Sequence, residues 1–111
     1  MAFERNHATT EPTRAEIDAL AGPTLVEFGT AWCGWCRAAQ PAIESALAAH
    51  PQVRHLKIED GRGRPLGRSF GVKLWPTLVF LADGQAKAKL VRPGDGAAIS
   101  QALAQIDPPA P

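Results

Sequence analysis

The sequence predicts an α/β domain, a central mixed β-sheet flanked by helices on both faces. Three observations predict it. Helix-like and strand-like segments follow one another in the order α, β, α, β, α, β, β, α. Two of the strand-like segments, Thr24–Phe28 and Thr77–Leu81, are nearly unbroken apolar runs, as expected of central strands covered on both faces. The first strands are separated by helical crossovers and the last two by Asp83-Gly84, a hairpin signal, so parallel and antiparallel neighbours share one sheet.

Each element has a local reason. Residues 1–12 are polar, end at Pro12 and are expected to form a flexible or irregular arm, with Phe3 a candidate anchor. Thr13-Arg14-Ala15-Glu16 matches a capping box, Ile17 and Leu20 give a short apolar face, and Gly22-Pro23 stops that helix. A helix is expected from Arg37 to Ala49, with Ile43 and Leu47 on one face and Pro41 inside it. Val53–Ile58 alternates like a strand, and Gly61–Pro65 is a basic loop. Pro65 opens a short helix that Gly71 closes. Gln85–Val91 returns as an edge strand, and Asp95 caps a last helix carrying Ile99, Leu103 and Ile106. The domain is expected over residues 13–106, followed by an unstructured tail over residues 107–111.

A chain of 111 residues is one domain that can bury a proper core. A net charge of +1 gives no argument for nucleic acid or an anionic membrane surface. The first residues lack the apolar run of a signal peptide, and no stretch approaches the length of a bilayer span. The expectation is a soluble, cytoplasmic monomer with no membrane or nucleic-acid partner.

The chemistry is concentrated at Trp32-Cys33-Gly34-Trp35-Cys36, which holds both cysteines of the chain. Two thiols with two residues between them at a helix start can close into a disulfide and reopen. The helix N-terminus offers unpaired N–H groups and partial positive charge, which favour a thiolate. In a reducing compartment such a pair is redox-active or metal-binding rather than a structural staple. Zinc would need two further ligands, and the three histidines, His7, His50 and His55, are not paired at ligand spacing. Iron–sulfur binding across a dimer through the same pair is the remaining metal alternative. The expectation is no metal and no cofactor beyond a redox-active Cys33–Cys36 disulfide.

Four features resemble the thioredoxin family over about residues 13–106. Trp32-Cys33-Gly34-Trp35-Cys36 is similar to the family's W-C-G-P-C, and Pro41 lies five residues past the second cysteine. Glu27 is an acidic residue six before the first cysteine, and Trp75-Pro76-Thr77 heads an apolar strand like the family's cis-proline segment. Trp35 in place of proline and Glu27 in place of aspartate depart from thioredoxin itself.

The resemblance implies a thioredoxin fold and a reductase of protein disulfides, re-reduced by a thioredoxin reductase or another dithiol donor. Cys33 would attack the substrate disulfide and Cys36 would resolve the mixed disulfide. Glu27, raised in pKa by its apolar strand, would relay the proton of Cys36, with Lys57 as its partner or His55 if the strand register slips by two. Pro76 would be cis, and Trp75 would pair through its backbone with an extended substrate. Trp32 (partly buried), Gly34, Trp35 and Gly94 would complete the substrate-binding groove. A second reading keeps the fold but makes the chain a protein-binding or assembly module with slow or incidental redox activity.

Overall fold

The computed structural model describes residues 3–108. Its elements are α1 (Arg14–Asp18), β1 (Pro23–Gly29), α2 (Gly34–Ala48), β2 (Arg54–Glu59), α3 (Pro65–Ser69), β3 (Thr77–Ala82), β4 (Gln85–Val91) and α4 (Gly96–Ile106). The sheet order is β2-β1-β3-β4. β1 is parallel to β2 and antiparallel to β3, and β3 is antiparallel to β4. This is the mixed, helix-flanked sheet that the alternation of elements predicts.

The alternation of side chains along β1 and β3 sorts the core onto two faces. Leu25, Leu78 and Phe80 pack with Ile43 and Leu47 of α2 and with Ile99, Leu103 and Ile106 of α4. Val26, Phe28, Val79 and Leu81 pack with Ile17 of α1 and Leu66 of α3. Glu27 is therefore carried to the face that α2 covers. The outer strand β4 is largely exposed and carries Lys87 and Lys89, charges that discourage edge-to-edge pairing.

Three details differ from the sequence reading. α2 begins at Gly34 rather than Arg37, because the Cys33 side chain caps it. Residues 3–12, part of the segment expected as a flexible arm, carry neither helix nor strand, yet residues 3–8 lie against β2. Ala8 N–H donates to the Lys57 carbonyl at 2.8 Å, and the Phe3 ring lies 5.4 Å from the His55 ring. The third is Asp107, assigned to the tail. It is the C-cap of α4, its backbone N–H reaches the Leu103 carbonyl at 2.8 Å, and its Oδ2 lies 2.8 Å from His50 Nδ1. Residues 1–2 of the expected arm and 109–111 of the expected tail lie outside the described residues.

The β3–β4 turn is where glycine is required. Asp83 and Gly84 both have positive φ, at 50° and 80°, the conformation that matches the twist of a two-residue hairpin. A Cβ on Gly84 would also run into the Asp18 carbonyl at the end of α1. Gly84→Ala is expected to cost about 2 kcal/mol or more, of which the left-handed conformation alone accounts for about 1–2 kcal/mol. The corresponding fall in Tm is about 8 °C or more for a domain of this size. Thermal unfolding checks it, and an unchanged Tm would show that α1 does not constrain the turn.

Candidate active site

Cys33 and Cys36 sit where β1 hands over to α2. Cys33 is the N-cap of α2, in extended conformation, and its Sγ accepts the backbone N–H of Cys36 at 3.2 Å. The sulfur thus fills the place that a serine, threonine or aspartate oxygen fills in most helices. Both cysteines are free thiols, and both are buried, with Cys33 7% and Cys36 4% exposed. Cys36 owes its seat to Gly29, since a Cβ at that position would stand 2.5 Å from the Cys36 Sγ. Burial pushes the Cys36 thiol up to about 12. The hydrogen bond with Cys33 and the charges of Cys33 and Glu27 push the same way, against the Thr30 backbone.

Behind the thiols lies a buried polar chain centred on Glu27, which is 2% exposed. The strand register pairs Glu27 with Lys57, yet the direct partner of the carboxylate is His55, which reaches it diagonally with Nε2 2.9 Å from Oε1. No register slip is involved. Gln40 Nε2 donates to Glu27 Oε2 and to the Cys36 carbonyl, both at 2.8 Å. Lys57 is linked only through Gln40, its Nζ donating to Gln40 Oε1 at 2.9 Å and to the Arg5 carbonyl at 3.2 Å. The Glu4 N–H donates to His55 Nδ1 at 2.8 Å. Nδ1 is thereby the acceptor nitrogen, and Nε2 carries the proton given to Glu27.

This chain reverses the direction expected for Glu27. Burial alone pushes the carboxyl up, but the hydrogen bonds from His55 and Gln40, with the positive charge of Lys57, outweigh it and hold Glu27 below its ordinary value. The apolar neighbours in the strand are real. The donors that overrule them come from β2 and α2.

The outward side of the motif is aromatic. Trp32 is 73% and Trp35 60% exposed, so the partial burial expected for Trp32 does not occur. Trp32 meets Trp75 edge to face at 5.6 Å between centroids. Trp75 Nε1 donates to Asp60 Oδ2 at 2.9 Å, and the Trp75–Pro76 peptide is cis. Arg92 closes the group. Its N–H donates to the Pro76 carbonyl at 3.0 Å and its Nε to the Trp75 carbonyl at 2.8 Å, while its guanidinium lies 4.9 Å from the centre of the Trp35 ring.

The structure thus brings Cys33, Cys36 and Glu27 into one unit and Trp32, Trp35, Trp75 and Pro76 into another. Gly34 is the first residue of α2, and Gly94 lies between β4 and α4. A Cβ on either would meet nothing within 4 Å, so neither is glycine for want of space. Gly29, Gln40, Asp60 and Arg92 were not singled out by sequence reasoning. Gln40 could have been, at one helical turn past Cys36, and Arg92 adjoins the Pro93-Gly94 loop. On the other side of Cys36 a cavity of about 240 Å³ is lined by Arg5, His7, Thr30, Cys36, Arg37, Gln40 and Lys57 among others. Among the described residues, no group of three or more His, Cys, Asp or Glu side chains is placed to hold a metal ion, and no helix is long and apolar enough to cross a membrane.

Comparison with known proteins agrees with this geometry. The thioredoxin family model matches residues 6–105. Thioredoxin 2 of Pseudomonas aeruginosa PAO1, solved in its reduced form, superposes with a TM-score of 0.83 at 53% identity over 94% of this chain and 96% of that one. Thioredoxin of Chlamydia muridarum is 40% identical over 70 residues, 61% of this chain and 68% of its own. Thioredoxin 1 of Synechococcus elongatus is 32% identical over 80 residues, 70% of this chain and 75% of its own. Nothing in these likenesses favours a protein-binding or assembly module with slow or incidental redox activity. With a free C-x-x-C pair at the head of α2, the chain belongs to the thioredoxin family and is a thiol–disulfide oxidoreductase that reduces protein disulfides.

Proposed function

We propose that Cys33 is the attacking sulfur and Cys36 the resolving one. The observation that carries this assignment is the capping geometry: Cys33 Sγ receives the Cys36 N–H at a helix N-terminus, an arrangement that stabilises a thiolate. Cys36, its thiol pushed up to about 12, holds its proton. The Cys33 thiolate attacks one sulfur of a substrate disulfide. A Cys33–substrate disulfide forms, the substrate S–S bond breaks, and the leaving thiolate takes up a proton. Once Cys33 is in that bond, its hydrogen bond and charge no longer hold the Cys36 thiol up. Cys36 loses its proton and attacks Cys33 Sγ, and the second substrate thiolate departs. Two electrons have passed to the substrate, leaving a Cys33–Cys36 disulfide that a thioredoxin reductase or another dithiol donor must reduce.

Glu27 acts in this proton traffic through its charge. A carboxylate held below its ordinary value is a poor resting base, but its charge opposes the Cys36 thiolate and so helps to keep the resting thiol protonated. The Cys36 proton exchanges with solvent on the side of the cavity near His7 and Lys57. Trp32, Trp35, Trp75 and Pro76, with Gly34 and Gly94 at the margins, form the groove for an extended stretch of a disulfide-containing protein, which exposed aromatic area of this kind suits. The catalytic unit is residues 13–106, working as a cytoplasmic monomer without added cofactor, and residues 3–8 cover His55. Dithiothreitol-driven reduction of insulin disulfides tests the activity, and a Cys36→Ser variant should accumulate the mixed disulfide with its substrates. A variant that turns over like the wild type would overturn the assignment of Cys36.

The thiol assignment predicts selective labelling. At pH 8 a thiol at about 12 is ionised in about one molecule in ten thousand. Brief iodoacetamide treatment of the reduced protein should therefore modify Cys33 and spare Cys36. Peptide mapping reads the ratio, and faster labelling of Cys36 would reverse the roles.

The charge of Glu27 makes two measurable differences. In a Cys33→Ser background, Glu27→Gln should move the pH midpoint of Cys36 alkylation downward, because one of the causes holding the thiol up is removed. An unmoved midpoint would show that the two groups do not communicate. Stability responds separately. A carboxyl depressed in the folded state stabilises the fold above its unfolded value and loses that contribution as pH falls through the lower folded value. The stability gap between wild type and Glu27→Gln should be constant from pH 6 to 8 and narrow below about pH 4.5, read by urea unfolding at each pH.

A further inference from the structure

Arg92 is held in the left-handed region, φ 48°, which non-glycine residues seldom occupy. Its surroundings over-determine it: the backbone N–H is bound to the Pro76 carbonyl at 3.0 Å and the side-chain Nε to the Trp75 carbonyl at 2.8 Å. This places the guanidinium 4.9 Å from the centre of the Trp35 ring, a cation–π contact on a ring that is 60% exposed. Nε is used, whereas among the described residues neither Nη nitrogen has a protein acceptor. Asp60, the acid bound to the same Trp75, uses its Oδ2 on the indole N–H. A fixed guanidinium whose terminal nitrogens have no acceptor among the described residues, laid against the ring of Trp35, the residue just before Cys36, fits a carboxylate through paired N–H donors.

We propose that Arg92 is a specificity-determining residue, selecting disulfide substrates that carry an acidic side chain beside the reacting cysteine. The inference rests on the groove reading above, in which the substrate lies extended across Trp35 and Trp75. The carboxylate engages the Nη edge of Arg92 while the Nε bond to the Trp75 carbonyl keeps the fork in place. The same contact keeps the Trp35 ring against the groove. A lysine here would supply charge without the fork, and a glutamine would supply neither.

The test uses two peptide disulfides that differ only in a Glu or a Lys next to the reacting cysteine. kcat/KM for each is measured with wild type, Arg92→Gln, Arg92→Lys and Trp35→Ala, each checked for fold by thermal unfolding. Wild type should prefer the Glu peptide by about threefold to fivefold, the size of a solvent-exposed ion pair, and less in high salt. Arg92→Gln should bring the ratio to about one, and Arg92→Lys to an intermediate value. An equal ratio in wild type and Arg92→Gln overturns the assignment. If Trp35→Ala slows both peptides in that case, the groove stands and only the role of Arg92 falls. If it slows neither, the groove reading falls as well.

Discussion

The closeness of α2 to β1 at Gly29 is the constraint on which the active end depends. Successive residues of a strand point to opposite faces, so Leu25, Glu27 and Gly29 form the row of β1 that faces α2. Along that row a large apolar side chain gives way to a carboxylate and then to no side chain at all. The first builds the core against Ile43 and Leu47, the second meets Gln40, and the third leaves room for the Cys36 sulfur. A methyl group at position 29 would occupy the sulfur's place. Because α2 is seated there, its first turn can be capped by the Cys33 sulfur, which accepts the Cys36 N–H.

A charge buried beside these thiols has to be supplied with hydrogen bonds, since an isolated carboxylate in an apolar interior is costly. The parallel pairing of β1 and β2 provides them, because Glu27, Lys57 and His55 share one face of the sheet. The arrangement separates two ways of holding an anion. His55 gives a proton in a hydrogen bond from Nε2, and its ring is set by the Glu4 N–H on Nδ1. Lys57 gives positive charge, but at one remove, because Gln40 stands between it and the carboxylate. Glu27 is kept ionised mainly by donors rather than neutralised by a touching cation. Its charge therefore remains felt at Cys36.

What the sequence made legible follows from period and turn chemistry. The nearly unbroken apolar runs Leu25–Phe28 and Leu78–Leu81, the Thr13–Glu16 capping box and Asp83-Gly84 each act locally, so each is found where it is read. The start of α2 was less legible because its cap is a sulfur, which no capping preference signals. Glu27 was legible as a buried acid but not in the direction of its shift. Burial is written in its neighbours along the strand, whereas the opposing donors come from residues 40 and 55, joined to it only by the fold. Trp32 shows the same limit: a large apolar side chain argues for burial, but the loop between β1 and α2 leaves it outside the core. Arg92 was illegible because arginine carries no preference for positive φ, and the carbonyls of Trp75 and Pro76 that hold it there lie in a different part of the chain.

The two cysteines end up serving different surroundings, and the N-terminal segment is part of the reason. On the aromatic side, Trp32, Trp35 and Trp75 present rings suited to a polypeptide. On the other side, Cys36 borders a polar cavity whose lining includes Arg5, Asn6 and His7 as well as Gln40 and Lys57. Residues 3–8 belong to no helix or strand. Even so, the Glu4 N–H sets the His55 tautomer, the Arg5 carbonyl takes the Lys57 ammonium, and the Ala8 N–H pairs with the free edge of β2. Burial lowers the pKa of His7, with Lys57 acting in the same direction, so the imidazole is held toward its neutral form. A segment that adds nothing to the sheet order thereby fixes the donors around the buried carboxylate and walls the space beside the Cys36 thiol. The donors around Glu27, whose charge is one of the causes holding the Cys36 thiol up, are thus set in part by backbone groups outside the α/β alternation, which lie against β2 and belong to no motif of their own.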